Sequence, residues 1–227
     1  VLVGLTALLL VGCKSEITMP VTNSEVFGAP VIKNARLDIE VPACKEYKSD
    51  LESSSVLEAK QKINYVFPNA TYLGCKRGSG IDTFAQFELP FKVGGIGLKD
   101  CNANEICIGS SQNNQFMNVF IGKDIKTKID ELSRSATIYG PKDVKVRLVF
   151  KNDTNQALGI DYISLFLSDG KETIPVHNVK NAKFNSGLAA YMTLSDVASA
   201  SLLRRGVVSV TRFPDRELKE VEAPAKK

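Results

Sequence analysis

A chain of 227 residues is long enough for one large domain or two small ones, and 44% hydrophobic with 24% charged residues is ordinary for a globular protein. A net charge of +4 is too mild for a nucleic-acid binder; the pairs Arg204-Arg205 and Lys226-Lys227 suit a helix end and a solvated tail. With no tryptophan and 7% aromatics, a stacking platform for sugars or bases is thin.

The chain opens on an apolar run, Val1–Leu9, that continues into Leu10-Val11-Gly12-Cys13 and turns polar at Lys14-Ser15-Glu16. A helix needs roughly 20 apolar residues to cross a hydrocarbon core, so this run is too short to span. Its length suits the apolar region of a signal peptide over residues 1–12, with small Gly12 at the processing edge. Leu10-Val11-Gly12-Cys13 resembles the lipobox of bacterial lipoproteins. The resemblance implies that Cys13 is acylated and becomes the mature N-terminus, carrying palmitate-type chains that hold the protein on a membrane. Each buried methylene contributes roughly 0.8 kcal/mol, and two or more chains give stable anchoring. Lys14, where an aspartate would retain such a protein at the inner membrane, implies the outer membrane. Residues 13–34 hold Pro20, Gly28 and Pro30 without sustained periodicity and read as a flexible tether; about 20 such residues span about 25 Å.

From residue 35 the patterns sharpen. In Arg36–Val41, Leu37, Ile39 and Val41 alternate with charged residues, which predicts a half-buried strand. Ser55 and Glu58 have capping-box spacing, and a helix follows with Val56, Ala59, Ile63 and Val66 on one face and a Glu58–Lys62 pair outside. Two strands come next, Thr71–Lys76 and Thr83–Val93. Pro90 makes the second an edge strand at that point or bulges it. Residues 94–114 read as the longest irregular region, of the kind that often carries function. Phe116–Ile121 predicts a strand and Lys123–Ser135 a helix. The order β-α-β-β-β-α predicts an α+β domain over 35–138, an antiparallel sheet with helices on one face.

Residues 139–213 read as a second, strand-rich domain or subdomain with one late helix. Val144, Val146, Leu148 and Phe150 alternate with charged residues, and Ile163, Leu165 and Leu167 with polar ones. Asp169-Gly170 predicts a hairpin to a return strand over Thr173–Val179. Leu194–Arg205 predicts a helix ended by Gly206, with Arg204 and Arg205 at the negative end of its dipole. Val207–Phe213 is a final strand, and 214–227 a disordered charged tail.

Four cysteines remain beside Cys13, an even set suited to the oxidising envelope. Cys101 and Cys107 are close enough to clip one loop, which leaves Cys44 for Cys75. No C-x-x-C pair supports zinc, and the lone His177 removes Ser-His-Asp, Cys-His and multi-histidine sites. His177 itself reads as a strand-surface imidazole. Gly94-Gly95-Ile96-Gly97 lacks the Lys-Ser/Thr ending of a phosphate cradle and reads as a turn, as does Gly78-Ser79-Gly80. Asn152-Asp153-Thr154-Asn155 misses the spacing of a calcium loop. Lys60, Lys62, Lys123, Lys126 and Lys128 are read as a solvated face, with anionic lipid as the sharper alternative.

Val41-Pro42-Ala43-Cys44-Lys45, with Glu58-Ala59-Lys60-Gln61-Lys62-Ile63 and the Cys75 strand, is similar to uncharacterised lipoproteins of enterobacterial phages and prophages, over residues 36–93. That likeness carries no site and lends no established activity. The expectation is a non-enzymatic anchored lipoprotein, without cofactor or metal, offering a disulfide-stabilised surface to an envelope protein. Modification or exclusion of a host outer-membrane protein is the specific form. An accessory of a secretion, conjugation or assembly machine, and a hydrolase using a carboxylate pair, are the alternatives.

Overall fold

The computed structural model describes residues 14–78, 82–110, 115–135, 144–170 and 172–214. Residues 1–12, Cys13, Ser79-Gly80 and the tail beyond Pro214 lie outside them. Strands supply most of the elements. They are β1 (Ser15–Thr22), β2 (Val31–Glu40), β3 (Thr71–Arg77), β4 (Thr83–Gly94), β5 (Ile106–Ser110), β6 (Phe116–Ile121), β7 (Val144–Lys151), β8 (Leu158–Ser168), β9 (Thr173–Phe184), β10 (Ala189–Leu194) and β11 (Val207–Arg212). The helices are α1 (Asn23–Phe27), α2 (Ser54–Val66), α3 (Lys123–Ser135) and α4 (Asp196–Arg205).

Hydrogen bonding runs β10-β7-β1-β2-β4-β5-β6-β11-β8, and β8 returns to β10, so nine strands close on themselves as a barrel. Closure corrects the expected antiparallel sheet with helices on one face. The fold is mixed α and β and its second half is strand-rich, as the pattern predicts. Two junctions are parallel, β1 on β7 and β4 on β5. The remaining pairs are antiparallel.

The seam lies at β8. β9 follows one edge from Leu158 to Ser168, so the other edge is shared: β10 takes Leu165–Ser168 and β11 takes Asp161 and Tyr162. The α4 connection springs from this fork. Ser195 caps α4 by accepting from the Ala198 amide, and its hydroxyl lies 2.8 Å from that of Ser164. The helix ends as predicted, on Gly206 with φ 76°, a conformation open to glycine at little cost.

Alternation fills the interior. Ile17, Met19 and Val21 of β1, Phe87, Leu89 and Phe91 of β4, and Leu148 and Phe150 of β7 all point inward and are buried. The short α1 lies against β1, β4 and β5 with Val26 fully buried. Nearby Phe27, Phe213, Phe150 and Phe184 follow one another edge-to-face or tilted, centroids 5.0, 6.0 and 5.7 Å apart. α2 packs on the inner side of β3–β4: Tyr72 meets Phe87 at 5.4 Å and the Lys60 ammonium lies 4.5 Å over the Tyr72 ring. The wall outside is polar. Arg147 pairs with Glu16 at 2.8 Å and Arg36 with Asp38 at 2.9 Å, where a membrane-spanning barrel turns apolar side chains to lipid.

Several expectations are corrected. Residues 14–34 form no tether: they make β1, α1 and the start of β2, and β1 is a central stave between β2 and β7. Pro20 is tolerated there with its ring exposed on the outer face. The boundary at 139 separates nothing, because β7 inserts beside β1 and β11 beside β6 in one ladder. The irregular region 94–114 contains β5, buried on both faces. The α2 N-cap is Ser53 rather than Ser55, its hydroxyl accepting from the Val56 amide at 3.3 Å. Thr173–Val179 continues to Phe184, and β10 is an additional strand. Pro90 behaves as its chemistry requires: on one flank of β4, β3 stops opposite Glu88 and β5 starts opposite Lys92, so that edge is unpaired around the proline.

Candidate functional surfaces

Both expected disulfides are present, Cys44–Cys75 with Cα atoms 5.5 Å apart and Cys101–Cys107 at 6.0 Å. They do different things. The shorter loop folds onto the outer face of β5–β6, where Ile96, Cys107 and Phe120 form a small second core with Val207 packed against it. Glycines permit that close approach: a Cβ on Gly109 would fall 2.1 Å from the Ile96 carbonyl oxygen, and one on Gly122 2.2 Å from that of Ala103. The segment Gly94–Gly97 is thus part of a cover, with the Gly95 amide donating to the Gly28 carbonyl at 2.8 Å. Cys101, Glu105 and Cys107 bring ligand-type atoms within 4.8 Å of one another. The two sulfurs are bonded to each other, and Lys92 holds Glu105 at 2.5 Å. Burial pushes the Glu105 carboxyl up, but Lys92 and Asn102 outweigh it and keep the group below the usual carboxylate range.

The acceptor-rich Asn152–Asn155 segment is a structural knot. The fully buried Asn152 amide donates to the carbonyls of Gln156 (2.8 Å) and Phe184 (3.0 Å), and its oxygen accepts from Thr154. Asp153 accepts from the Ser24 amide at 3.0 Å and from the Ser24 hydroxyl, an acid at the positive end of α1. The lysines divide. Lys60 pairs with Glu52, Lys62 with Glu58 and Lys126 with Asp130, while Lys128 lies over the Tyr65 ring. His177 is exposed on β9, as expected. The carboxylates with displaced pKa values, Asp50, Glu52, Glu105 and Asp153, are all held low. A general acid needs the opposite displacement, so none of these four is a candidate for one. Pro68, Pro90, Ile106 and Ile125 line part of a water-sized hollow of about 20 Å³ between α3 and the β3–β5 gap, too small for an organic ligand.

Exposed large apolar side chains include Ile32 and Val197, and two outgrowths of the ring carry several each. The first is a finger, residues 44–53. Its strands are tied by Ser53 N–H to Cys44 and Glu46 N–H to Leu51, both 3.0 Å, with a bridge between Lys45 and Glu52. Cys44–Cys75 staples it to β3, and Lys60–Glu52 (2.8 Å) and the Ser54 amide on Glu46 (2.6 Å) weld it to α2. Tyr47 at the tip is 86% exposed and Leu51 72%. Leu73 is also exposed, on the face of β3 opposite the staple: a bulge at Gly74, φ 127°, leaves it unpaired and turned outward. The second is the β8–β9 wing, which projects from the ring with Phe166, Ile174 and Val179 exposed. Tyr191, opposite Ser168 on the adjoining β10, extends the Phe166–Pro175 face.

These features define a class: a filled, disulfide-stapled β-barrel with a polar wall and two apolar outgrowths. Residues 15–217 match a family described as Domain of unknown function (DUF7424), and the chain belongs to it. The matched stretch begins on the first residue of β1 and takes in both halves of the barrel. No curated protein and no solved structure matches the chain significantly.

Of the residues singled out in the sequence, the cysteine pairs carry structure, and Cys13 lies outside the described residues. The wing hairpin was legible from Asp169-Gly170, but the exposed side chains of finger and wing carried no functional signal of their own. Only the cysteine count pointed toward the finger, through Cys44.

Proposed function

We infer that the protein is a non-enzymatic lipoprotein, anchored through Cys13 at the bacterial outer membrane and binding an envelope protein through the β8–β9 wing. The observation that carries this reading is the wing. On its outer face Phe166, its neighbour Pro175 and Tyr191 of the adjoining strand stand in water together, an aromatic group of the kind found at interaction surfaces. The lipobox resemblance supports the anchor, and the phage-lipoprotein resemblance supports a host outer-membrane protein as partner, modified or excluded by the contact. No helix among the described residues is long and apolar enough to cross a membrane.

Capture from envelope extract with the acylated chain tests it. A host envelope protein is expected to be enriched over a Cys13→Ala control. Joint substitution Phe166→Asp and Tyr191→Asp should weaken capture by roughly tenfold or more, as loss of aromatic anchors does, with the far-ultraviolet dichroism unchanged. Equal recovery by all three chains would overturn the reading. Recovery of secretion or assembly components instead would move it to the accessory role.

A further inference from the structure

We propose that the stapled finger is a membrane-contacting element, Tyr47 and Leu51 entering the headgroup zone of an anionic bilayer beside the rim from which the chain emerges. The inference rests on the lipoprotein reading for its geometry and adds a site to it.

The first stave leaves no slack at its Ser15 end. The Lys14 carbonyl already accepts the Glu40 amide at 2.9 Å, and Ser15 pairs with Ile39. Lys14 is thus already joined to the ladder, so no flexible spacer lies between it and Ser15. An acyl group on Cys13 holds the Ser15 end of the barrel at the headgroups. The finger is on the same rung: Ser15 is opposite Ile39, Ile39 opposite Ala85, and Ala85 opposite Cys75, the residue bonded to Cys44. Three strand spacings place it about 14 Å to the side.

The chemistry of the finger suits an interface with lipid. An exposed aromatic and an exposed leucine beside cations form the pattern of a body lying shallowly in a bilayer surface. Tyr47 and Leu51 supply the apolar part. Lys14, Lys48, Lys76 and Arg77 have no ion-pair partner among the described residues, and all lie on or near this rim. Acids share the rim: Asp50 is paired with Lys45, Glu46 accepts from the Ser54 amide and Glu40 from the Lys14 amide, and Asp82 lies beside Arg77, so the balance here is only mildly basic. The disulfide and the α2 contacts fix the finger before it meets lipid, so little ordering is left to do on contact.

The absence of tryptophan supplies the assay. Tyr47→Trp and Tyr191→Trp each place one indole in the full chain, reconstituted on vesicles of phosphatidylethanolamine and phosphatidylglycerol containing brominated acyl chains. Emission of Tyr47→Trp should shift to the blue and be quenched by about half, as for a side chain buried about 5–10 Å below the surface. Tyr191→Trp, on the wing, should be unaffected. Intact mass reads acylation in the same samples. An acylated chain whose Tyr47→Trp indole stays unquenched overturns the docking and leaves the anchor standing. A chain without acyl groups that is nevertheless quenched at position 47 supports the docking and overturns the anchor. Quenching lost by Leu51→Ser supports the finger as the contact, whereas protection of position 47 only by a captured protein overturns it.

Discussion

The ring and its outgrowths solve the same problem differently. A ring stave has neighbours on both edges and buries one face, so backbone pairing and apolar burial hold it together. Phe87 and Leu148 sit at such positions with no exposure. The finger has neither advantage. It buries little, its tip residues face water, and it is held by one disulfide, two charge contacts at α2 and a few turn bonds. The wing is intermediate, paired along one edge of β9 and open on the other. Closure gives rigidity that side chains alone must replace outside the barrel, so the outgrowths should tolerate surface change and fail when their fasteners are cut.

The contrast is broken most severely at Phe87. Phe87→Ala should cost about 3–5 kcal/mol by urea unfolding, since transfer and cavity terms add in a closed interior. Leu51→Ala at the finger should stay within about 0.5 kcal/mol. Equal losses would mean that the finger is part of the core. Removing a fastener comes next. Cys44–Cys75 closes a separation of 31 residues and Cys101–Cys107 one of 6, worth about 4 and about 2 kcal/mol in the chain-entropy model. Paired serine substitutions should lower stability in that order. Limited proteolysis should cut the Cys44/Cys75 variant first within residues 44–53 and leave the ring intact.

The same contrast explains what the sequence disclosed. Staves with one wet face, such as β4, β7 and β8, announce themselves by alternation. β5 does not, because Ile106–Ser110 is buried on both faces and a doubly buried strand has no period. β1 was obscured by Pro20 and by the apparent tether around it, although Ile17, Met19 and Val21 already alternate. Closure depends on β1 beside β7 and β10 beside β8, pairings set by long-range register that local pattern does not encode. The cysteine pairing was legible from count and spacing. The finger was not: Tyr47 and Leu51 look like any loop residues until their exposure is known.

Loops that knot the ring to its outgrowths test the comparison at intermediate strength. Asn152 binds the β7–β8 connection to the end of β9 with every polar atom engaged. Asn152→Ala leaves the Phe184 carbonyl short of a donor in a buried place, while the exposed Gln156 carbonyl keeps the Thr154 hydroxyl at 3.0 Å. The expected loss is about 2–3 kcal/mol. Asn152→Asp, which keeps the acceptor and loses the donor, should be no milder, and thermal melts of the two variants decide it.

The smallest effect is electrostatic and is found where α1 meets the same loop. Burial pushes Asp153 up, but the Ser24 hydroxyl and amide donate to it and hold its carboxyl below the ordinary value. A folded value lower than the unfolded one, near 3.9, contributes stability above that pH and loses it as pH falls through the folded value. Asp153→Asn keeps an acceptor for the Ser24 amide and removes the charge. Wild type should therefore exceed the variant by less than about 1 kcal/mol at neutral pH, the group being solvent-exposed. The gap should be constant well above the unfolded value and shrink progressively as pH falls below it toward the lower folded value. Glu105 is displaced in the same direction, so Glu105→Gln should trim the acid limb independently. A gap at Asp153 that widened on acidification would mean that Ser24 binds the protonated acid instead, and the α1 plug would owe nothing to its dipole.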